Sequence, residues 1–347
     1  MLRKVKVRLV DASGKETFEE ITLRPDIQRL VDASETLRDD DGMFFQRQLE
    51  AIESQTYDVL YPDLEARSCF TTNTFGGEGA RTLTYRSFDR VGRAQVINAR
   101  ATDLPKSDIS GKEYSVSVKS VGCAYDWDID EISAAAMAGM PLEARKTMAA
   151  RRGYEEYINS TVWRGDAEAG LGGFFTNTDI LRQPVANGAG GSAKWVDKTP
   201  DEVLADLTEA CGSMYALTKK IHAPKEIWLS TMKWNYLFST PRSPMSDKTI
   251  GQYFCENNQF GITKADFKPL NEFAEGIPMG TGAGADLFVV LNQRTPEGLE
   301  TIRIRETLPL QFMPVQIHGL VYEVPGRGRF GGLEVTYPRA IDIWYGI

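Results

Sequence analysis

The sequence predicts an α+β fold, and three observations predict it. From Pro141 to Trp163 no further proline occurs and only Gly153 interrupts, while Ala150, Tyr154, Ile158 and Val162 recur every four residues. That spacing places one apolar stripe on a single long helix, on the order of 30 Å at 1.5 Å per residue. Residues 66–125 are polar and alternate as strands do, most clearly in RTLTYRSFDRVGRAQVINARA over 81–101. Residues 306–347 return to β character, ending GLVYEVPGRGRFGGLEVTYPRAIDIWYGI.

Taken in order, residues 1–25 alternate about Ser13 and Gly14, with Val5, Val7 and Leu9 on one parity, which predicts a β-hairpin. The acidic run Asp39–Gly42 then precedes Phe45, Leu49 and Ile52 at helical spacing, so a short helix is expected to end by Gln55. In the ribbon that follows, Arg81, Arg86, Arg90, Arg93 and Arg100 recur, and large apolar residues are few. A strand pair of that composition buries little of its own surface and is stable only when laid on something else. The ribbon therefore predicts an interface.

Asp128 or Asp130 is placed to cap a short helix, because a short carboxylate accepts from the unpaired N–H groups of a first turn. Gly139 suits the left-handed residue that ends it, and Pro141 suits the first position of the long helix. Arg151 with Glu155, and Arg152 with Glu156, stand at i,i+4. The long helix ends in Trp163-Arg164-Gly165-Asp166 and a glycine-rich exit to Asn177. Residues 186–194 read as a flexible linker by composition. Thr199, with Glu202 three residues on, predicts a capping box, and strands are expected at 226–230 and 285–292.

Composition narrows the function. The 347 residues leave room for two domains, and 42% hydrophobic with 25% charged residues is ordinary for a folded protein. A net charge of -8 argues against a protein that coats itself with nucleic acid. The start MLRKVKVRLV alternates and lacks the apolar segment of a signal peptide, and no run reaches the roughly 18 apolar residues of a membrane span, so no membrane partner is expected. Cys69, Cys123, Cys211 and Cys255 are scattered, which predicts reduced thiols and no zinc site. His222 and His318 stand alone, so histidine-based catalysis is not expected. Gly280–Gly284 precedes a strand instead of following one and reads as a loop. Residues 188–194 lack the Lys-Ser/Thr of a phosphate loop, and Arg164-Gly165-Asp166 simply ends a helix. No catalytic residue, cofactor or metal is predicted.

Four stretches in this order carry a likeness: FFQRQLEAIESQTYDVLYPDLEARS, the ribbon TLTYRSFDRVGRAQVI, DWDIDEISAAAMAG with GYEEYINSTVWRGDAEAGLGGFFTN, and the ending GRFGGLEVTYPRAIDIWYGI. Over roughly residues 43–347 the chain resembles the major capsid proteins of tailed bacteriophages with the Hong Kong 97-type fold. The resemblance implies a long spine helix, an extended β-hairpin loop, and peripheral and axial lobes. It divides the chain into an N-terminal extension and arm (1–65), the first core strand and extended loop (66–125), and a peripheral lobe with the spine helix (126–194). An axial lobe (195–305) and a return to the peripheral lobe (306–347) complete it. The implied partners are further copies of the chain as hexamers and pentamers, scaffolding, portal and decoration proteins, and packaged DNA held without sequence specificity. The implied location is the virion capsid, with host cytoplasm during assembly.

Two features depart from the family pattern. Residues 1–40 read as structured, where many relatives have a thin arm or a removable segment. No lysine lies between Arg67 and Asp103, so the lysine-to-asparagine cross-link that some relatives form from this loop is not expected. The ribbon's Arg81, Arg86, Asp89, Arg90 and Arg93 are the candidates for contacts between subunits, since arginine's fork matches carboxylates. An encapsulin-like compartment, a minor shell or decoration protein, and a soluble enzyme of unknown class remain alternatives.

Overall fold

The computed structural model describes residues 4–10, 16–22, 59, 61–96, 106–139, 142–245, 247–273 and 286–347. The helix expected near 45–55, Pro141, Arg100 and the Gly280–Gly284 loop lie outside the described residues. The chain divides into two units, 1–62 and 63–347. In the first, β1 (Lys4–Val10) pairs antiparallel with β2 (Glu16–Thr22), from Lys4 opposite Thr22 to Val10 opposite Glu16, as the alternation about Ser13 and Gly14 predicts.

The second unit is built on two sheets. In one, the fifteen-residue β13 (Val321–Val335) is central. It pairs antiparallel with β11 (Ile302–Phe312) and, at its start, β12 (Gln316–His318), and also with β6 (Lys119–Asp128). β3 (Thr71–Asn73) adds to β11 in parallel. The other sheet runs β7 (Leu181–Pro184), β14 (Ile341–Tyr345), β10 (Leu287–Leu291), β8 (Glu226–Ser230), β9 (Phe267–Leu270). The strands expected at 226–230 and 285–292 are both here.

The run LFVVL of β10 is apolar at every position because both faces of its sheet are covered. Leu287, Val289 and Leu291 face one core, shared with the long helix, while Phe288 and Val290 face a second. Three helices supply the second core. They are Pro200–Leu217, Thr231–Ser239 and Ile250–Asn257. The first opens on the predicted capping box: Thr199 Oγ1 accepts from Glu202 N, and the Glu202 carboxylate accepts from Thr199 N at 2.8 Å.

The long helix spans Leu142–Arg164, 23 residues or about 35 Å. Tyr154, Ile158 and Val162 are buried on the predicted stripe, and Trp163 beside them is fully buried. Arg152 pairs with Glu156 at 2.7 Å as the spacing predicts. Glu155 does not take Arg151 as its partner. Its carboxylate is drawn off the helix surface by Arg67, whose Nε lies 2.6 Å away and whose side chain is itself anchored on buried Glu306. The ten-residue helix before it, Ile129–Ala138, is capped by Asp128, which accepts from Glu131 N at 2.6 Å, and ends at Gly139 with φ 67°.

The glycine-rich exit has a geometric reason. A Cβ on Gly173 would lie 2.2 Å from Gly165 N, so only two glycines allow the chain to double back here. Phe174 N then reaches Val162 O at 2.8 Å and Phe175 N reaches Trp163 O at 2.9 Å, satisfying carbonyls that the helix end leaves open. The stretch 186–194, expected to be a flexible linker, is instead pinned. Gly188 N bonds Ser192 O at 2.9 Å, and Ala189 N bonds the capping Glu202 at 2.6 Å. Composition reports glycine content, and here the glycines serve a hydrogen-bonded turn.

One buried carboxylate gives a pH prediction. Asp342 in β14 is 1% exposed, and burial pushes its pKa up to about 6; its Oδ2 accepts from Gln183 Nε2 at 3.0 Å. A carboxyl whose folded pKa lies above its unfolded value destabilises the fold where it must ionise, so the penalty grows as pH rises from about 4 to 6 and is complete above that. Asp342→Asn is therefore expected to be more stable than the parent at pH 8 by about 2 kcal/mol, with the gain shrinking toward pH 4. Urea unfolding at the two pH values checks this, and a pH-independent difference would contradict it.

Candidate shell-forming surface

The predicted ribbon is a hairpin. β4 (Thr82–Val91) and β5 (Asp108–Ser117) pair antiparallel over ten positions, from Thr82 opposite Ser117 to Val91 opposite Asp108. Only Leu83, near its base, is buried. The stacked pair Tyr85 and Tyr114, with ring centroids 5.1 Å apart, contributes the hairpin's own aromatic contact. Everything beyond is solvated on both faces, as its composition predicts.

The five candidate residues all lie on or beside this hairpin and all are exposed. Arg81 sits at its base, where its carbonyl accepts from Val118 N at 2.9 Å. Arg86 is already paired within the chain, its Nε 2.7 Å from Glu113 on the opposite strand. Asp89 stands opposite Ser110 and Arg90 opposite Ile109, while Arg93 follows the strand's end. Among the described residues Arg81, Asp89, Arg90 and Arg93 form no ion pair.

The charge pattern alone misses the apolar part of the surface. Phe88, 66% exposed, alternates with Arg86 and Arg90 and so shares their face; it lies over Gly111 of the partner strand. Ile109, opposite Arg90, is 64% exposed. An aromatic ring flanked by arginines is the composition of a buried interface centre. Parity along β4 was the signal that could have found it.

A second exposed surface lies where β6 meets β13. The helix Ile129–Ala138 has no buried residue, and Met137 is 94% exposed. It begins beside the pair Asp128–Val321, next to exposed Leu320 in the tight turn from β12 to β13. Lys146 ties it to the long helix, its Nζ lying 2.6 Å from both Glu131 Oε2 and Asp126 O.

A long helix laid on a central sheet, a second sheet buried on both faces, and a hairpin that projects without a core define a shell-building subunit. The profile of the major capsid protein family matches residues 92–347, and the chain belongs to that family. It is a shell-forming capsid protein, with the Hong Kong 97-type fold. The capsid of the Myoviridae phage XM1 is similar in fold, with a TM-score of 0.71 at 16% identity, covering 88% of this chain and 100% of that one. The capsid of a native GTA particle follows at a TM-score of 0.60 and 11% identity, covering 89% and 99%. That of cyanophage P-SCSP1u gives 0.57 and 12%, covering 85% and 92%. No curated protein matches the chain.

Proposed function

We propose that the chain assembles through hexamers and pentamers into a closed icosahedral shell around packaged DNA, in the host cytoplasm, with the β4–β5 hairpin laid over a neighbouring copy. The observation that carries this is the hairpin itself: ten paired positions of strand, with one buried residue, and a face made of Arg86, Phe88 and Arg90. In this reading residues 126–194 and 306–347 form the peripheral lobe and 195–305 the axial lobe. Residues 1–65 are the N-terminal extension and arm, and residues 1–40 of it are an added contact. Scaffolding, portal and decoration proteins complete the particle.

Individual exposed ion pairs contribute only ~0–1 kcal/mol, so their effect comes from repetition around the shell. The test is negative-stain microscopy with light scattering of the purified chain and of Arg86→Glu/Arg90→Glu. The double variant is expected to stay soluble and fail to form shells. Because Arg86 also holds Glu113, the swap Arg86→Glu/Glu113→Arg, which keeps the pair within the hairpin, separates hairpin integrity from contact between copies. Normal shells from the first variant would refute the assignment. Particles that carry a protein cargo and no DNA would replace the phage shell by a compartment.

A further inference from the structure

Two concavities flank the turn that follows the helix Pro200–Leu217. One, of about 700 Å³, is lined by Lys220, Lys225 and Arg294. The other, of about 380 Å³, is lined by Lys219 and Arg339, and Ile221 borders both. All five cations are exposed, and among the described residues none forms an ion pair. The acid that lines the larger concavity, Glu226, is occupied. It accepts from Trp228 Nε1 at 2.9 Å and Gln293 Nε2 at 3.1 Å, and pairs with Lys268 at 2.8 Å. Glu300 meets Arg294 through a backbone bridge, and no ion pair joins them.

The backbone of the turn makes the choice of lysine unusual. Lys219 N bonds Ala216 O at 3.0 Å and Lys220 N bonds Tyr215 O at 2.9 Å, the Schellman arrangement of a helix end. Such an end favours glycine, which reaches left-handed backbone without penalty. Here Lys219 has φ 50° and Lys220 φ 71°. Strain of this kind is held by the surrounding hydrogen bonds and clusters at functional sites. The chain as a whole carries a charge of -8, so five unpaired cations around one turn run against its average. Cations placed on both sides of a ridge match an anion that repeats along a strand better than a single small one, and lysine binds phosphate as a point charge.

We propose that this turn and its two concavities form a phosphodiester-binding surface, which seats packaged nucleic acid against the shell. The inference rests on the shell-forming reading and adds to it a contact with the packaged nucleic acid. The test is fluorescence anisotropy of a short labelled duplex with unassembled full-length chain, over roughly 50–200 mM salt. Lys220→Glu/Lys225→Glu/Arg294→Glu is expected to weaken binding at least ~10-fold and to make the logarithmic salt slope shallower by about 2–3, whereas Lys106→Glu/Lys112→Glu, two exposed lysines on and beside the hairpin, leaves the slope in place. Lys220→Gly, which relieves the backbone, should melt no lower than the parent and still bind more weakly. A turn with only a structural role would gain stability and bind the same.

An absence of salt-sensitive binding by the parent chain, or an unchanged slope in the triple variant, would overturn the proposal. So would equal binding of inorganic pyrophosphate or of poly-glutamate, which would show a small-anion or a carboxylate site. Light scattering of the same proteins keeps the two questions apart. Shells that form without duplex binding sink this inference alone, and a chain that forms no shells under any condition sinks the reading beneath it.

Discussion

Replacing Trp163 with alanine is expected to destabilise the folded subunit by about 4 kcal/mol, the middle of the range for a buried aromatic. Its ring is fully buried at the end of the long helix and lies among Phe70, Phe174, Phe175, Trp228 and Phe273, at centroid separations of 5.2–6.1 Å. These neighbours come from four separate segments, including β8 of the doubly covered sheet. The cavity left by alanine could not be filled by one local shift, and unfilled volume is what raises the cost. Among the described residues Trp163 Nε1 has no hydrogen-bond partner, so Trp163→Phe loses packing alone and should cost roughly 1–2 kcal/mol. Urea unfolding of the three proteins measures both. A loss below about 2 kcal/mol for alanine would show that the aromatic cluster is not the centre of this core.

Arg67→Ala is expected to cost about 3 kcal/mol or more, for an electrostatic reason. Glu306, with a side chain 3% exposed, is held by a fork from Arg67, Nη1 to Oε2 at 2.7 Å and Nη2 to Oε1 at 3.0 Å, and by the Tyr154 hydroxyl at 3.3 Å. Among the described residues, removing the arginine leaves a desolvated carboxylate with only the Tyr154 hydroxyl as a side-chain partner, and the uncompensated charge, more than the lost pair, sets the cost. Arg67→Met/Glu306→Leu removes both charges and should recover most of the loss. If the double variant were as unstable as the single one, packing around Arg67 would be the cause instead. The same pair joins the short helix Ala66–Cys69 to β11 and, through Glu155, to the long helix, so the single variant should also impair shell formation.

The elements set by local rules were legible in the sequence. Asp128 and Thr199 cap the helices they were expected to cap, Gly139 ends one in left-handed backbone, and strands lie at Glu226–Ser230 and Leu287–Leu291. Each depends on residues within a few positions of one another. The hairpin of β4 and β5 was legible for the opposite reason: its polarity says that it has no core of its own. The partner of Glu155 was not legible, because helix spacing offers Arg151 while the fold brings Arg67 from 88 residues away. Nor was the order of the 186–194 stretch, whose hydrogen bonds run to the cap of the next helix.

The sequence by itself determined the class of fold, the long helix with its buried stripe, the capped helix ends and the exposed ribbon with its arginines. Those follow from periodicity, short-range hydrogen bonding and the inability of polar strands to bury themselves. Only the tertiary structure decided that Phe88 stands between Arg86 and Arg90 over Gly111, that Glu306 is neutralised by Arg67, and that five cations gather around the turn at Lys219 and Lys220. Such arrangements join segments far apart in the chain. Their energies depend on desolvation and on which charges come to lie within a few ångströms, and a linear pattern carries neither.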